Sequence, residues 1–435
     1  MSPRERRPAR LSAVPVLAAC CAAVSALAGC GGAPAAQTAA PLPSQATVTG
    51  AARPSSSTPA PVAARPAAKP SAPASPSAAP KPTPSASGGT AAKPPAAGTA
   101  SRVTAIPKGA VVVGSGRAAS CTGAALQAAV AKVNRRGTGT VSFDCGRAPV
   151  TIGLDKPLAF FGEASARYGI DGRGLVTLDG RNRTGIVRTD GREGISYTFR
   201  GLTFTRGRTQ ERGAAIHGGW RVRLLVEDCT FTSNAVTPSS DGEAGGGAIY
   251  AHEGSATIRR STFRDNTARD GGALQSTIAD VVVESSTFSG NAAAYAGGAI
   301  YADAGVLTVR DSTIKNNTAT FQAAGVWMWH PDPRTARIER TTISGNRMKG
   351  SGTTGGMGAA ILNSAGPLLV TDSTISGNVA YYLGGGLFND SGATTFRRTR
   401  FVGNRAQAGG ALFKGGGSIT TIACTFSRNT PKDVR

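Results

Sequence analysis

Between residues 200 and 430, apolar and polar positions alternate in bursts of four or five residues that never lengthen into a helical pattern. Leu307-Thr308-Val309-Arg310 is typical, with period two, β-branched residues and a polar close. Such bursts predict short strands. They also recur in register. One phrase occurs eight times, as CTFTSN (229–234), STFRDN (261–266), STFSGN (286–291), STIKNN (312–317), TTISGN (341–346), STISGN (373–378), TRFVGN (399–404) and CTFSRN (424–429). Its closing residues, Asn234, Asn266, Asn291, Asn317, Asn346, Asn378, Asn404 and Asn429, are spaced by 32, 25, 26, 29, 32, 26 and 25 positions. A second phrase lies between the copies: GAAIH (213–217), GGAIY (246–250), GGAL (271–274), GGAIY (297–301), AGVW (324–327), GAAIL (358–362), GGGLF (384–388) and GGALF (409–413). GLTFTRG (201–207) reads as one more degenerate copy of the first phrase. A unit of about 25 residues cannot bury its apolar side alone, whereas stacked units can. Glycine pairs and Asn are expected at the corners, where positive φ is easiest.

This arrangement resembles the right-handed parallel β-helix, the pectin-lyase-like superfamily. The pairing of GGAI with FxxN is similar to polymorphic outer-membrane protein repeats. The resemblance is strong over 200–430 and weak over 120–200. It implies an all-β solenoid. The outer-membrane relatives end in a membrane barrel, and no barrel strands precede Pro431-Lys432-Asp433-Val434-Arg435. The Asp and Arg clusters of the enzyme branches find no matching positions, so the resemblance carries the fold and not an activity.

Stacking turns the repeat into columns. Val226, Ile258, Val283, Val309, Ile338, Val370, Phe396 and Ile422 are expected to point inward on one face. Phe231, Phe263, Phe288, Ile314, Ile343, Ile375, Phe401 and Phe426 are expected to do so on the next. The Asn column predicts an amide ladder. Glu227, Arg259, Glu284, Arg310, Glu339, Thr371 and Arg397 form an outward column whose signs alternate over five rungs. Rungs lie about 4.8 Å apart, so each charge meets its opposite, at roughly 0.2–1 kcal/mol per pair.

A solenoid must cover its open edges. Residues 122–134 place Leu126, Val130 and Val133 on one helical face, with Gly137 as a stop, and predict a short N-terminal capping α-helix. TVSFDC (140–145) and PVTI (149–152) then begin the strands. Cys121 and Cys145 bracket this cap and are expected to form a disulfide worth about 3 kcal/mol. Cys229 and Cys424 share an inward column seven rungs apart. That is about 34 Å at the rung spacing, too far to bridge, so both are read as buried free thiols in place of Ser.

If the Ile of GGAI points inward, the next residue points out. That column reads His217, Tyr250, Gln275, Tyr301, Trp327, Leu362, Phe388 and Phe413. Two places further lie His252, Asp303, Trp329, Ser364 and Asp390, with His330 beside Trp329. Rings on successive rungs would form a track on which sugars stack, and a nearby His or Asp would bind hydroxyls. The candidate ligand-binding residues are therefore Tyr250, His252, Tyr301, Asp303, Trp327, Trp329, His330, Phe388, Asp390 and Phe413. Outward rings of this kind should support little of the core. The other reading is an aromatic ladder that only stabilises its sheet. Enlarged corners at 235–245 and 347–357, and the insertion HPDPRTAR (330–337), border this face.

The N-terminus changes the picture of where the protein works. Arg4, Arg6, Arg7 and Arg10 precede an apolar run from Leu11 to Leu27, which ends in Leu27-Ala28-Gly29-Cys30. This resembles a bacterial lipoprotein signal. It implies cleavage after residue 29, lipidation of Cys30 and an extracytoplasmic, membrane-anchored protein. Residues 30–100 are Ala, Pro, Ser and Thr with little to bury, so they are expected to form a disordered tether. In polyproline II form it would reach up to roughly 200 Å, into or through a cell wall. The solenoid is then expected over 101–435.

The chain of 435 residues has a formal charge of +23. Nine of its 48 Lys and Arg and one of its 25 acids precede residue 101, which leaves the remainder at +15. That favours anionic partners such as acidic polysaccharide or cell-wall polymer. The outward aromatics lack interleaved basic stripes, which argues against nucleic acid. No apolar run reaches the ~18–20 residues of a membrane-spanning helix. No P-loop, nucleotide fingerprint, Ser-His-Asp motif or CxxC spacing occurs, so neither cofactor nor metal is expected.

Three classes stay open: a binding module for polysaccharide or wall polymer, a polysaccharide lyase or hydrolase, and a structural surface protein without small ligand. A glycosidase needs two carboxyls roughly 5–9.5 Å apart, and Asp303 and Asp390 fall three rungs, about 14 Å, apart. Asp303 with His252 or His330 is within reach for acid–base work, but no catalytic residue can be named. Binding is the reading these residues favour.

Overall fold

The computed structural model describes residues 103–189, 192–237, 244–350 and 355–431. The leader (1–29), Cys30 and the tether (30–100) lie outside the described residues, as do parts of both enlarged corners. From Val111 onward the chain winds into an all-β right-handed parallel β-helix of about 12 turns with one α-helix. All the pairings between coils are parallel, as in Val226↔Ile258, Ile258↔Val283 and Val283↔Val309.

Each coil has the same parts. In one of them, Ser255–Arg259 forms the first face, Thr262–Arg264 the second, Thr267–Asp270 the third and Leu274–Thr277 the fourth. The expected inward columns fill the lumen. Val226, Ile258, Val283, Val309, Ile338, Val370 and Phe396 are fully buried. On the second face Phe204, Phe231, Phe263 and Phe288 stack with centroids 4.7, 4.6 and 4.4 Å apart and rings within 5° of parallel. Ile314, Ile343 and Ile375 continue the column, and Phe401 and Phe426 close it at 4.9 Å. One column member is corrected. Thr421, not Ile422, pairs with Phe396, and Ile422 pairs with Arg397 and is 44% exposed. The stack of Phe426 on Phe401 sets that register and pushes Ile422 to the outer side. Cys424, in the same last described coil, is only half-buried.

The Asn column is the ladder expected. Asn291 shows its bonding in full. Its Oδ1 accepts from the backbone N–H of Asn266 at 3.0 Å and from Asn266 Nδ2 at 2.9 Å. Its Nδ2 donates to the carbonyl of Phe263 at 3.1 Å and to Asn317 Oδ1 at 2.9 Å. Two donors and two lone pairs are thus all used. The pattern runs unbroken from Asn234 to Asn429. A second ladder was not foreseen. The backbone N–H of Cys229 donates to Ser261 Oγ, Ser261 to Ser286 Oγ, and Ser286 to Ser312 Oγ, at 3.1–3.2 Å. Cys229 ends this ladder as a buried thiol held at about 12 by burial.

The corners correct one expectation. The ladder Asn residues are not at positive φ; the residue before each is, as in Ser233, Asp265 and Asn316. Another left-handed column runs through Asp228, Arg260, Asp311, Arg340, Asp372 and Arg398. The pairs Arg260–Asp228, Arg340–Asp311 and Arg398–Asp372 sit 2.6–2.8 Å apart across neighbouring rungs. Glycine is demanded at the pair Gly271-Gly272. Gly271 has φ +56, and a Cβ on Gly272 would lie 2.2 Å from the carbonyl oxygen of Gly298 on the next rung. The alternating outward column pairs as expected up to Arg310: Glu227 meets Arg200 at 2.7 Å and Arg259 at 3.7 Å, and Glu284 meets Arg259 at 2.7 Å and Arg310 at 3.1 Å, whereas Glu339 meets Arg340 at 3.8 Å instead of Arg310.

Helix α1 (Gly123–Arg136) covers the first coil and buries Leu126, Ala129, Val130 and Val133. Thr122 caps it by accepting from the N–H of Ala125, and Gly137 ends it at φ 71. The Cys121–Cys145 disulfide ties the residue before its N-cap to the segment just after the strand Gly139–Phe143, with Cα atoms 5.8 Å apart.

Replacing Asn317 by Ala removes the acceptor for two Asn291 donors and one donor to Asn346. Leaving such groups unpaired in the interior costs about 1–3 kcal/mol each. Chemical denaturation should therefore show a loss of about 2–4 kcal/mol for Asn317→Ala. An exposed strand-end change such as Lys315→Ala should stay within about 0.5 kcal/mol.

Candidate functional site

The column His217–Tyr250–Gln275–Tyr301–Trp327–Leu362–Phe388–Phe413 lies on the fourth face in the expected order. Ile249, Ile300, Val326, Leu387 and Leu412 fill the lumen behind it. The rings do point away from the lumen, but they do not form an open track. Tyr250 is 2% exposed and Phe388 7%. The physical reason lies in the neighbouring corners. Ala323, Met357 and Leu383 lean over the upper half, where Leu362, Phe388, Trp327 and Phe413 gather into a small apolar cluster outside the main core. Phe388 and Phe413 stack there at 5.7 Å. On the lower half the Arg212 guanidinium lies 4.9 Å from the Tyr250 ring centre and donates to its hydroxyl at 2.8 Å. The expectation that these rings support little of the structure is therefore corrected.

What stays accessible is the middle. Tyr301 and Trp327 are half-buried and stack at 4.2 Å with 12° between planes. Asp303 pairs with Trp329 on the next rung, so a carboxylate and an indole flank the stack. A bulge then places Ala365, not Ser364, opposite Trp329. His330 is corrected from surface ligand to buried side chain, at 1% exposure. His252 is half-buried, 3.6 Å from the Glu253 carboxylate, and burial lowers its pKa. Asp390 follows the strand Leu387–Asn389, half-buried, with its pKa raised by burial.

One residue of this site escaped the sequence reading. Asp270 occupies the corner before Gly271, in a column that otherwise reads Gly245, Ala296, Gln322, Met357, Leu383 and Ala408. A single acid in an uncharged column was a legible signal. Asp270 is 5% exposed, takes an ion pair from Arg269 at 2.5 Å and accepts from the N–H of Ala296 at 3.3 Å. Burial pushes its carboxyl up to about 6, against the pull of Arg269, and the charge of Asp303 adds to the rise. Burial brings Asp303 to about 6 as well. Tyr301 feels both carboxylates, and burial first of all holds its hydroxyl protonated. Gln275 below Tyr301 and Trp327 above it each keep a buried polar atom, Oε1 and Nε1, without a hydrogen-bond partner. Tyr295, stacked on Phe321 at 4.8 Å, lies under the Arg269 guanidinium at the adjoining corner. The result is a half-buried carboxyl, Asp303, beside a stacked Tyr–Trp pair, an arrangement able to bind a ring face and exchange hydrogen bonds with hydroxyls. Among the described residues no three His, Cys, Asp or Glu side chains gather as a metal ion would require.

Residues 175–333 match the family model described as a right handed beta helix region. Among solved structures the chain is similar to the crystal structure of PfbA, a surface adhesin of Streptococcus pneumoniae. The identity is 11% and the TM-score 0.42, over 75% of this chain and 93% of that one. No curated protein matches the sequence.

Asp270 and Asp303 keep their protons up to about pH 6 in the folded chain, whereas an unfolded carboxyl releases its proton near 4. The stability they contribute is complete below about pH 4 and is lost as pH rises through about 6. Asp270→Asn removes this loss for one group. The variant's melting temperature relative to the parent should therefore rise between about pH 4.5 and about pH 7.5. A difference that is flat or falls over that range contradicts the raised carboxyl.

Proposed function

We propose that this protein is a surface polysaccharide- or wall-polymer-binding module whose contact face is the Tyr301–Trp327 stack with Asp303 and Trp329 beside it. The observation that carries this reading is the stack itself: two parallel rings 4.2 Å apart, turned away from the lumen and left half-open while the rings above and below are roofed. Sugar rings offer flat C–H faces to such aromatics and hydroxyls to neighbouring carboxyls. In this reading the lipoprotein-like leader sends the protein out of the cell. There Cys30 carries the anchor and residues 31–100 act as the spacer.

A second reading is favoured by one specific feature. Asp270 and Asp303 both hold protons up to about 6. A protonated carboxyl beside an ionised one is what acid–base cleavage of a glycan requires. Appearance of new reducing ends or unsaturated products that vanishes in Asp303→Asn would select this reading over binding alone.

Trp327→Ala should weaken binding to the recognised glycan or wall polymer by about 1–3 kcal/mol. Because Trp327 also packs against Leu362 and Tyr301, its loss will lower the melting temperature. Trp329→Ala, which leaves that cluster alone, should weaken binding with a smaller thermal cost. Retained binding in both variants, measured below their melting temperatures, refutes the proposed face. Cys30→Ser should shift the protein from the membrane fraction to the medium, and unchanged partition contradicts the anchor.

A further inference from the structure

The aromatic column runs down to His217, three rungs below Tyr301 and so about 14 Å away. There it meets a cleft of about 530 Å³. Among the described residues Arg183, Arg188, Arg208 and Arg212 line this cleft, with Glu211 as the one acid and His217 in its wall. The lining is thus short of negative charge. Arg188 shares Glu211 at 3.1 Å, and Arg183 reaches Asp155 at 3.3 Å. Arg212 gives one N–H to the Tyr250 hydroxyl. Arg208 makes no ion pair among the described residues. A guanidinium carries five N–H donors in a planar fork, so Arg183, Arg188 and Arg208 keep donors that these contacts do not use. The His217 ring is fixed as well: its Nδ1 lies 2.9 Å from the Arg212 carbonyl oxygen, which an Nδ1–H would serve, leaving Nε2 as the other ring nitrogen. Burial lowers its pKa, and Arg188 and Arg212 press in the same direction while Glu211 opposes them.

We propose that this cleft is an oxyanion subsite, built for a phosphate or sulfate ester carried on the polymer that the Tyr301–Trp327 face holds. The proposal rests on the polymer-binding reading and names the chemistry of its ligand. A carboxylate offers two oxygens and is filled by one fork. The three forks of Arg183, Arg188 and Arg208 around one cleft match a tetrahedral anion with more oxygens. The subsite lies on the same column of the solenoid as the ring stack, so a chain running along the axis passes from one to the other. The whole-chain charge of +23 favours the encounter, while the cleft supplies the place.

The test uses the full chain with three probes: dextran phosphate (a monoester), dextran sulfate and neutral dextran. The double variant Arg188→Ala/Arg208→Ala is compared with Arg337→Ala/Arg400→Ala, which removes equal charge from exposed positions elsewhere. We expect the charged polymers to bind the parent at least about tenfold tighter than dextran. The cleft variant should lose that preference and the control variant should keep it. Separately, inorganic phosphate added without polymer should shift the His217 imidazole resonances in the parent and not in the cleft variant. Circular dichroism establishes that both variants are folded. Equal losses in the two double variants, or no His217 shift with phosphate, overturn the subsite. If phosphate moves His217 but no polymer is retained, the subsite stands and the polymer-binding reading falls. If dextran binds through Trp327 with no gain from charge, the reverse holds.

Discussion

The constraint on which the molecule depends is that each coil completes the hydrogen bonds of the one beneath it. The Asn ladder states this most plainly, because every amide from Asn266 to Asn404 has all its bonding capacity taken up by two neighbouring rungs. Such a buried amide is stable only when satisfied. A one-residue slip would separate the Nδ2 and Oδ1 atoms and would also turn every inward residue to the surface. The phenylalanine stack on the second face and the Ser column just before it repeat the demand. Register, core and outer columns are therefore a single choice, made once per coil.

That coupling explains how much could be read from the sequence. The repeat phrases name the residues that bond between rungs, so the ladder, the lumen columns and the charge column follow from counting. Where bonding is weaker, counting misleads. In the last described coil Thr421 takes the place above Phe396 that counting gives to Ile422, in register with the Phe426–Phe401 contact. The corners misled for a related reason. Asp and Arg tolerate positive φ when each reaches an opposite charge one rung away, and that compensation is invisible in a single unit.

The candidate site was legible in direction and not in depth. Alternation establishes that Tyr250, Tyr301, Trp327 and Phe388 leave the lumen. It says nothing about whether side chains of a neighbouring corner lean across them, and this depends on the size of residues such as Met357 and Leu383 rather than on period. Asp270 is the odd member of its column, and that column of strand ends and isolated bridges lies outside both repeat phrases. The arginines of 183–212 lie where the repeat is degenerate, so no column pointed to their convergence on one cleft.

The saturated ladder also makes the solenoid a ruler. Because an inner coil contacts only the coils above and below it, a whole unit of 25 or 26 residues is a self-consistent insert. Adding or removing one leaves every local bond type as it was and changes a single quantity, the axial distance between surface features, in steps of about 4.8 Å. The separation between the arginine cleft and the Tyr301–Trp327 stack is thus an integer number of rungs. Lineages of this fold could retune the spacing of ligand groups they recognise by duplicating or losing coils, with no substitution at either contact.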